Sequence, residues 1–234
     1  MSSLPITSIL LFGFLLGLKH AVEADHLAAV STIVSERRSL LSSSLVGGLW
    51  GVGHTISLLV VGLAVILFDF EIGARTAQAL ELCVGLMLVA LGANALRKLR
   101  RGGHLHLHAH QHGARAHVHP HIHDGAPERD PHTHHGLRLG ARPLLIGMVH
   151  GLAGSASLML LVLPTISSPL VELGFIAIFG VGSIGGMMLM SALVGLPVYL
   201  TATRFKRAHL AVHGLAGLFS LSFGLFMIYE FALR

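Results

Sequence analysis

The sequence predicts an all-α polytopic membrane protein with six transmembrane helices and one long polar loop. Hydrophobic residues make up 53% of its 234 residues and charged residues only 12%, roughly half the charged share of soluble globular domains. Apolar runs of roughly 20 residues, the length that crosses a bilayer as a helix, recur along the chain. The alternation of apolar and polar residues that is typical of half-buried strands fails almost everywhere, so helices are favoured.

The apolar runs form two groups of three. The predicted spans are 6–34, 41–68, 76–96, 143–166, 171–201 and 208–231. A polar stretch over residues 97–142 separates the two groups. We therefore expect a three-helix repeat over residues 1–96, a loop over residues 97–142 and a second three-helix repeat over residues 143–234.

The positions of Lys and Arg predict the orientation of these spans. Nearly all of them follow the first, third and fifth spans, and the exceptions are Lys19, Arg75 and Arg234. Because cytoplasmic loops are enriched in Lys and Arg, we expect a bacterial cytoplasmic membrane protein with residues 97–142 in the cytoplasm and both termini outside. The net charge of +5 is thereby explained by topology, and no nucleic-acid partner is expected. No cleavable signal peptide is expected, since the first apolar segment exceeds the length of such a signal.

The two halves share a pattern of glycine and histidine at a nearly constant offset. The matched pairs are Gly17 with Gly147, His20 with His150, Gly51 with Gly180, His54 with Ser183, Gly85 with Gly217 and Gly92 with Gly224. Three spans in each half would make the second half enter the membrane with inverted topology. Inverted repeats place a shared site near the middle of the membrane, at the interface between the halves.

The first span carries an unusual cluster of ionisable residues, which are Lys19, His20, Glu23, Asp25 and His26. A charged group at the centre of a membrane costs roughly 2.5–3.5 kcal/mol on insertion scales. Two imidazoles and two carboxylates form a ligand set for a divalent cation such as nickel, cobalt or zinc. The alternative is a set of interhelical hydrogen bonds or a proton path. On a straight helix Asp25 points away from the stripe that carries both histidines, so shared binding requires a bent or unwound span.

Two further histidines lie in the matching positions of other spans. His54 follows a glycine-rich stretch at the depth of His20, and His150 is the repeat partner of His20. Of this motif the second half keeps one imidazole, since Ser155 and Ala156 stand where the first half has its acid and second histidine. We expect both histidines to contribute to the site, and packing within the core is the alternative for each.

The polar loop is rich in histidine. Most of the 18 histidines lie between residues 104 and 135, where they largely alternate with other residues. Its prolines and glycines predict disorder. Such tracts bind borderline divalent ions in many interchangeable ways, which predicts metal buffering or sensing and a place for a cytoplasmic metallochaperone. A pH-responsive linker without a ligand is the alternative.

Several functions lack their sequence signals. A phosphate-binding loop that ends in Gly-Lys-Ser/Thr is absent, as is the His-Glu-x-x-His motif of metalloproteases. The single cysteine, Cys83, allows neither an internal disulfide nor dithiol chemistry. We therefore expect no enzyme activity. Glu81 and Glu230 lie near span ends and are expected to reach towards the membrane surface.

The cluster resembles the nickel/cobalt transporter family. The family signature, His-Ala-x-Asp-Ala-Asp-His, stands here as His20-Ala21-Val22-Glu23-Ala24-Asp25-His26, and the second signature, Gly-His-Ser/Thr, stands as Gly53-His54-Thr55. The resemblance implies metal-binding roles for His20, Asp25, His26 and His54. Compared with the eight-span permeases, this chain lacks a helix before the signature and an Asp-Thr-Ala-Thr-Glu-like segment. Its six spans and residues 149–155 look more like the shorter branch, which includes urease-accessory-type membrane proteins and nickel/cobalt efflux proteins.

These observations predict a secondary transporter for Ni²⁺ or Co²⁺. The expected ligands are His20, Asp25, His26 and His54, with Glu23 and His150 completing or orienting the shell. Protons would compete with the ion for the imidazoles. The alternatives are a Zn²⁺ transporter and a membrane metal sensor or chaperone that serves a metalloenzyme such as urease. Import and export fit the sequence equally.

Overall fold

The computed structural model describes residues 5–35, 37, 39–68, 73–100, 105–112, 115–122, 141–153, 166, 168–202 and 206–233. The elements within these ranges are α1 (Ile6–His20), α2 (Ala24–Val34), α3 (Leu40–Phe68), α4 (Ala74–Arg100), β1 (Leu105–His112), β2 (Arg115–Ile122), α5 (Ala141–Ala153), α6 (Pro169–Ala202) and α7 (Lys206–Leu233). Helices α3, α4, α6 and α7 are long and apolar enough to cross a membrane, and α1 with α2 forms one further candidate span. The chain is therefore a helical membrane protein.

The first predicted span is broken in its middle. Helix α1 ends at His20, α2 begins at Ala24, and the two axes differ in direction by 55°. Between them the backbone N–H groups of Val22 and Glu23 donate to the carbonyls of Lys19 and His20, at 3.0 and 3.1 Å. These bonds close the last turn of α1 more tightly than an α-helix does. The expectation of a bent or unwound span is confirmed.

Glycines set the closest approaches between helices. Helix α1 packs on α6, α5 packs on α3, α3 packs on α6, and α4 packs on α7. A Cβ atom at Gly17 would collide with the carbonyl oxygen of Phe179, and one at Gly147 would collide with the carbonyl oxygen of Trp50. Only glycine permits these approaches, and each of the two glycines lies three residues before a buried histidine.

The second half of the broken span lies at the centre of the molecule. Small and β-branched residues of α2, including Ala28, Ala29 and Val30, are buried, and they belong to one apolar cluster with Trp50 and Met187. Small side chains let neighbouring helices approach closely in a membrane, where packing rather than the hydrophobic effect holds helices together. This packing holds α2, the helix that follows the break, in place among the other helices.

The histidine-rich loop differs from the predicted disorder. Strands β1 and β2 pair antiparallel, with Leu107 opposite Pro120 and with histidines opposite histidines at three positions. These opposed pairs are His106 with His121, His108 with His119 and His110 with His117. The alternation of histidines with other residues has the two-residue period of a strand. Residues 101–104, 113–114 and 123–140 of the loop lie outside the described residues, as do residues 154–165 of the fourth predicted span.

Candidate metal-binding site

The structure brings all six candidate ligands into one cluster. They are His20 at the end of α1, Glu23 at the break, Asp25 and His26 in the first turn of α2, His54 in α3 and His150 in α5. All four histidines are fully buried, whereas Asp25 is 13% and Glu23 36% exposed. The helix break explains this convergence, because it turns Asp25 towards α5 while His20 faces α3.

His20 and His54 form one side of the cluster. Their Nε2 atoms lie 3.2 Å apart, and their rings are tilted by 37°. Glu23 Oε2 lies 2.8 Å from His20 Nδ1, at ion-pair distance but without the alignment of a hydrogen bond. The Glu23 carboxylate therefore places a negative charge beside His20.

Asp25 forms the other side of the cluster and connects two helices. Its Oδ1 accepts the backbone N–H of His26 at 2.9 Å and lies 3.0 Å from His26 Nδ1. Its Oδ2 lies 2.9 Å from His150 Nε2. A carboxylate in the first turn of a helix is also stabilised by the helix dipole. Asp25 thus connects α2 to α5 through Oδ2, while its Oδ1 bonds within α2.

Four ring nitrogens of the cluster lack a hydrogen-bond partner among the described residues. They are Nδ1 of His20, Nε2 of His26, Nδ1 of His54 and Nδ1 of His150. Buried polar atoms are normally paired, and exceptions mark functional sites or bound ions. Two sets of three side chains bring their ligand atoms within 4.8 Å of one another. Imidazole nitrogen with carboxylate oxygen suits nickel, cobalt or zinc, so the donors fit a divalent ion.

Three residues near the cluster were not among the predicted ligands. The Trp50 ring lies 5.2 Å from His26 and 5.5 Å from His150, and the Phe179 ring lies 5.5 Å from His20. Glu81 of α4 is half-buried, and its carboxylate is close enough to Asp25 for the two groups to interact electrostatically. Their positions depend on contacts between helices, and the only sequence signal was the single tryptophan inside a glycine-rich stretch.

A buried histidine and aspartate cluster within membrane-crossing helices defines a membrane protein with a candidate metal site. The chain is 37% identical over 233 residues to the urease accessory protein UreH of Bacillus sp. (strain TB-90), and the match covers 98% of this chain and 94% of that protein. The chain therefore belongs to the family of this urease accessory protein. This agrees with the resemblance to urease-accessory-type membrane proteins.

Two plant proteins share parts of the sequence. The chloroplast protein FOR GROWTH AND FERTILITY 2 of Arabidopsis thaliana is 25% identical over 78% of this chain and 46% of its own length. The chloroplast protein FOR GROWTH AND FERTILITY 1 of the same plant is 36% identical over 37% of this chain and 24% of its own length. No family model and no solved structure matches the chain.

Proposed function

We propose that this protein carries nickel or cobalt across the bacterial cytoplasmic membrane as a secondary transporter, and that the buried histidine and aspartate cluster binds the ion on its way. The observation that carries the proposal is the convergence of four fully buried imidazoles and one carboxylate from four helices. A carboxylate and unpaired ring nitrogens are expensive inside a membrane unless they have a function there. The ligands would be His20, Asp25, His26 and His54, with Glu23 and His150 completing or orienting the shell.

The break in the first span supports transport. Transporters commonly bind their substrates at discontinuous helices, whose ends expose backbone groups and aim side chains into a cavity. In this protein His20 closes one half-helix, and Asp25 and His26 open the next. A purely structural set of hydrogen bonds would not need the helix to break.

Contacts between the helices support two inverted three-helix halves. The contact of Gly17 with the carbonyl of Phe179 has its counterpart in the contact of Gly147 with the carbonyl of Trp50. Phe179 and Trp50 occupy matching positions, one residue before the matched glycines of the two halves. Exchanging the halves therefore converts one contact into the other, as a pseudo-twofold axis requires.

A second pair of contacts obeys the same rule. A Cβ atom at Gly182 would meet the carbonyl oxygen of Phe14, and one at Gly53 would meet the carbonyl oxygen of Leu144. Two pairs of equivalent contacts favour six spans in this inverted arrangement. Both termini would then lie outside and the histidine-rich loop in the cytoplasm.

The family relationship favours nickel as the ion. The matched relative is named a urease accessory protein, and urease is a nickel enzyme. Zinc accepts the same ligands, so the metal needs a direct measurement. Purified protein in liposomes should move Ni²⁺ or Co²⁺ faster than Zn²⁺, and loading either compartment at two pH values gives the direction and any proton dependence.

Variants of the cluster test whether the ion passes through it. Transport should fall to the level of empty liposomes in His20→Ala and Asp25→Asn, while His213→Ala, a histidine of α7 outside the cluster, should transport as the unchanged protein does. Wild-type rates in both cluster variants would contradict the proposed route.

The name of the relative also favours a second candidate, a membrane sensor or chaperone that delivers nickel to a metalloenzyme. Its cytoplasmic contact would be the histidine-rich loop, to which a metallochaperone could bind. Deletion of residues 104–135 separates the candidates. A transporter keeps its flux in liposomes and loses regulation, whereas a chaperone loses its ability to deliver metal.

A further inference from the structure

The cluster consists of two ligand sets that share one residue. His20, His26 and His54 form the first set, and Asp25, His26 and His150 form the second. Within each set, one ligand atom of every side chain lies within 4.8 Å of the others. His26 alone belongs to both sets.

The distances within each set fit bound ions. The Nε2 atoms of His20 and His54 are 3.2 Å apart, and nitrogens at about 2.0–2.1 Å from a tetrahedral ion would be about 3.3 Å apart. In the second set, Asp25 Oδ2 lies 2.9 Å from His150 Nε2, and Asp25 Oδ1 lies 3.0 Å from His26 Nδ1. Neighbouring ligands of an octahedral ion at about 2.1 Å would be separated by about 3.0 Å. These three separations match those between ligands of one ion, and an ion bound in either set would replace the hydrogen bonds that the same atoms make.

His26 presents its two ring nitrogens to different surroundings. Its Nδ1 faces Asp25 at 3.0 Å, and its Nε2 has no hydrogen-bond partner among the described residues. Opposite nitrogens of one imidazole point in different directions, so one ion cannot use both. The two nitrogens can bind ions on two sides of the same ring.

We propose that the ion occupies two positions in succession and that His26 passes it from one to the other. This proposal rests on the proposed transport function. The first position is formed by His20, His26 and His54, and the second by Asp25, His26 and His150. Because His26 is common to both positions, the ion keeps at least one ligand inside the membrane while it moves.

The two positions differ in charge and in access. The second position includes the Asp25 carboxylate, which is only 13% exposed, so it attracts a divalent ion more strongly. The first position is formed by imidazoles alone and lies beside the 36% exposed Glu23. The second position should therefore hold the ion at rest, and the first should connect it with the more accessible side of the cluster.

The two positions predict a separation of binding from transport. Binding needs only the second position, whereas transport needs both. A single site in which Asp25 merely orients His26 and His150 predicts that binding and transport fall together. The two arrangements thus differ in the behaviour of variants of His20 and His54.

The experiment measures Ni²⁺ binding to purified protein by equilibrium dialysis and Ni²⁺ flux in liposomes. The double variant His20→Ala/His54→Ala should bind Ni²⁺ within about tenfold of the unchanged protein and show flux at background. The double variant Asp25→Asn/His150→Ala should lose more than about 100-fold in affinity, since metal ligands matter more than the outer-shell partners, which are worth 10–100-fold. His26→Ala should bind least of all.

X-ray absorption at the nickel edge reads the ligands directly. Nickel bound to His20→Ala/His54→Ala should keep carboxylate and imidazole ligands, as expected for the second position. Equal loss of Ni²⁺ affinity in the two double variants would overturn the proposal that His26 passes the ion between two positions. In that case, transport by the unchanged protein would still support the proposed function. If the two double variants differ in affinity but the unchanged protein does not transport Ni²⁺, the proposed transport function is overturned instead.

Folding needs its own control. Size-exclusion profiles and thermal unfolding of every variant should match those of His213→Ala. If an alanine variant unfolds, His20→Asn and His54→Asn keep a polar group of similar size and make the same prediction, which is retained binding without flux. Loss of binding in folded His20→Asn/His54→Asn protein would contradict the two positions.

Discussion

Helices α1 and α5 deliver a histidine to the same cluster by the same means but end differently. In both, a glycine packed on a backbone carbonyl lies three residues before the histidine, at Gly17 and Gly147. Helix α1 then ends at His20, whereas α5 continues past His150 to Ala153. Glycine packing thus fixes how deep each histidine lies. The break adds an acid and a second histidine, so most of the candidate ligands come from the first of the two proposed halves.

The largest expected effect is a loss of Ni²⁺ affinity, and it distinguishes the contribution of the broken span from that of α5. His26→Ala removes the residue common to both ligand sets and should lower Ni²⁺ affinity by more than about 100-fold, since a ligand matters more than an outer-shell partner, which is worth about 10–100-fold. His150→Ala removes a ligand of one set only and should lower the affinity less. Equilibrium dialysis on matched samples gives both values, with His213→Ala as the control. Equal losses would mean that α5 contributes as much as the broken span does.

Substitution of the packed glycine should destabilise the protein equally in α1 and in α5. Gly17→Ala and Gly147→Ala each place a methyl group against a backbone carbonyl and should destabilise the fold by about 1–3 kcal/mol, as overpacking does. The measurement is the temperature at which half of the protein leaves the monodisperse size-exclusion peak.

Gly185→Ala is the matched control for this packing, because no atom of the described part of the chain lies within 4 Å of the added Cβ. It should be neutral or stabilising, since alanine in a helix is favoured over glycine by about 0.5–1 kcal/mol. A loss for only one of Gly17→Ala and Gly147→Ala would break the proposed equivalence of the halves.

The smallest effects concern charges around the break. Glu23→Gln removes a partly exposed carboxylate beside His20 and should weaken Ni²⁺ binding by no more than about fivefold, because exposed ion pairs contribute about 0–1 kcal/mol. Glu81→Gln should have a smaller effect, since this carboxylate acts on the cluster without an ion-pair contact. Titrations at low and high salt should show both effects shrinking as screening increases. Salt-independent losses would assign these residues a direct contact with the ion.

The sequence predicted the parts of the structure that depend on local geometry. Because the helical period separates Asp25 from His20, a shared site required a break in the first span, and the break is present between His20 and Ala24. This prediction follows from spacing along one chain segment.

Contacts between distant segments were harder to predict. Trp50 lies next to the cluster because of how α3 packs on other helices, and periodicity within one helix does not specify that. The pairing of β1 with β2 was also missed. Proline and glycine there indicated disorder, but the alternation has a strand period, and Pro120 is accommodated opposite Leu107.

The position of Trp50 gives the protein a built-in optical probe. It is the single tryptophan of the chain, and its ring lies 5.2 Å from that of His26 and 5.5 Å from that of His150. Paramagnetic Ni²⁺ or Co²⁺ bound at these imidazoles would quench the indole emission, whereas the filled d shell of Zn²⁺ leaves the emission largely intact. Light emitted by the unlabelled protein can therefore follow the arrival and departure of the ion in real time.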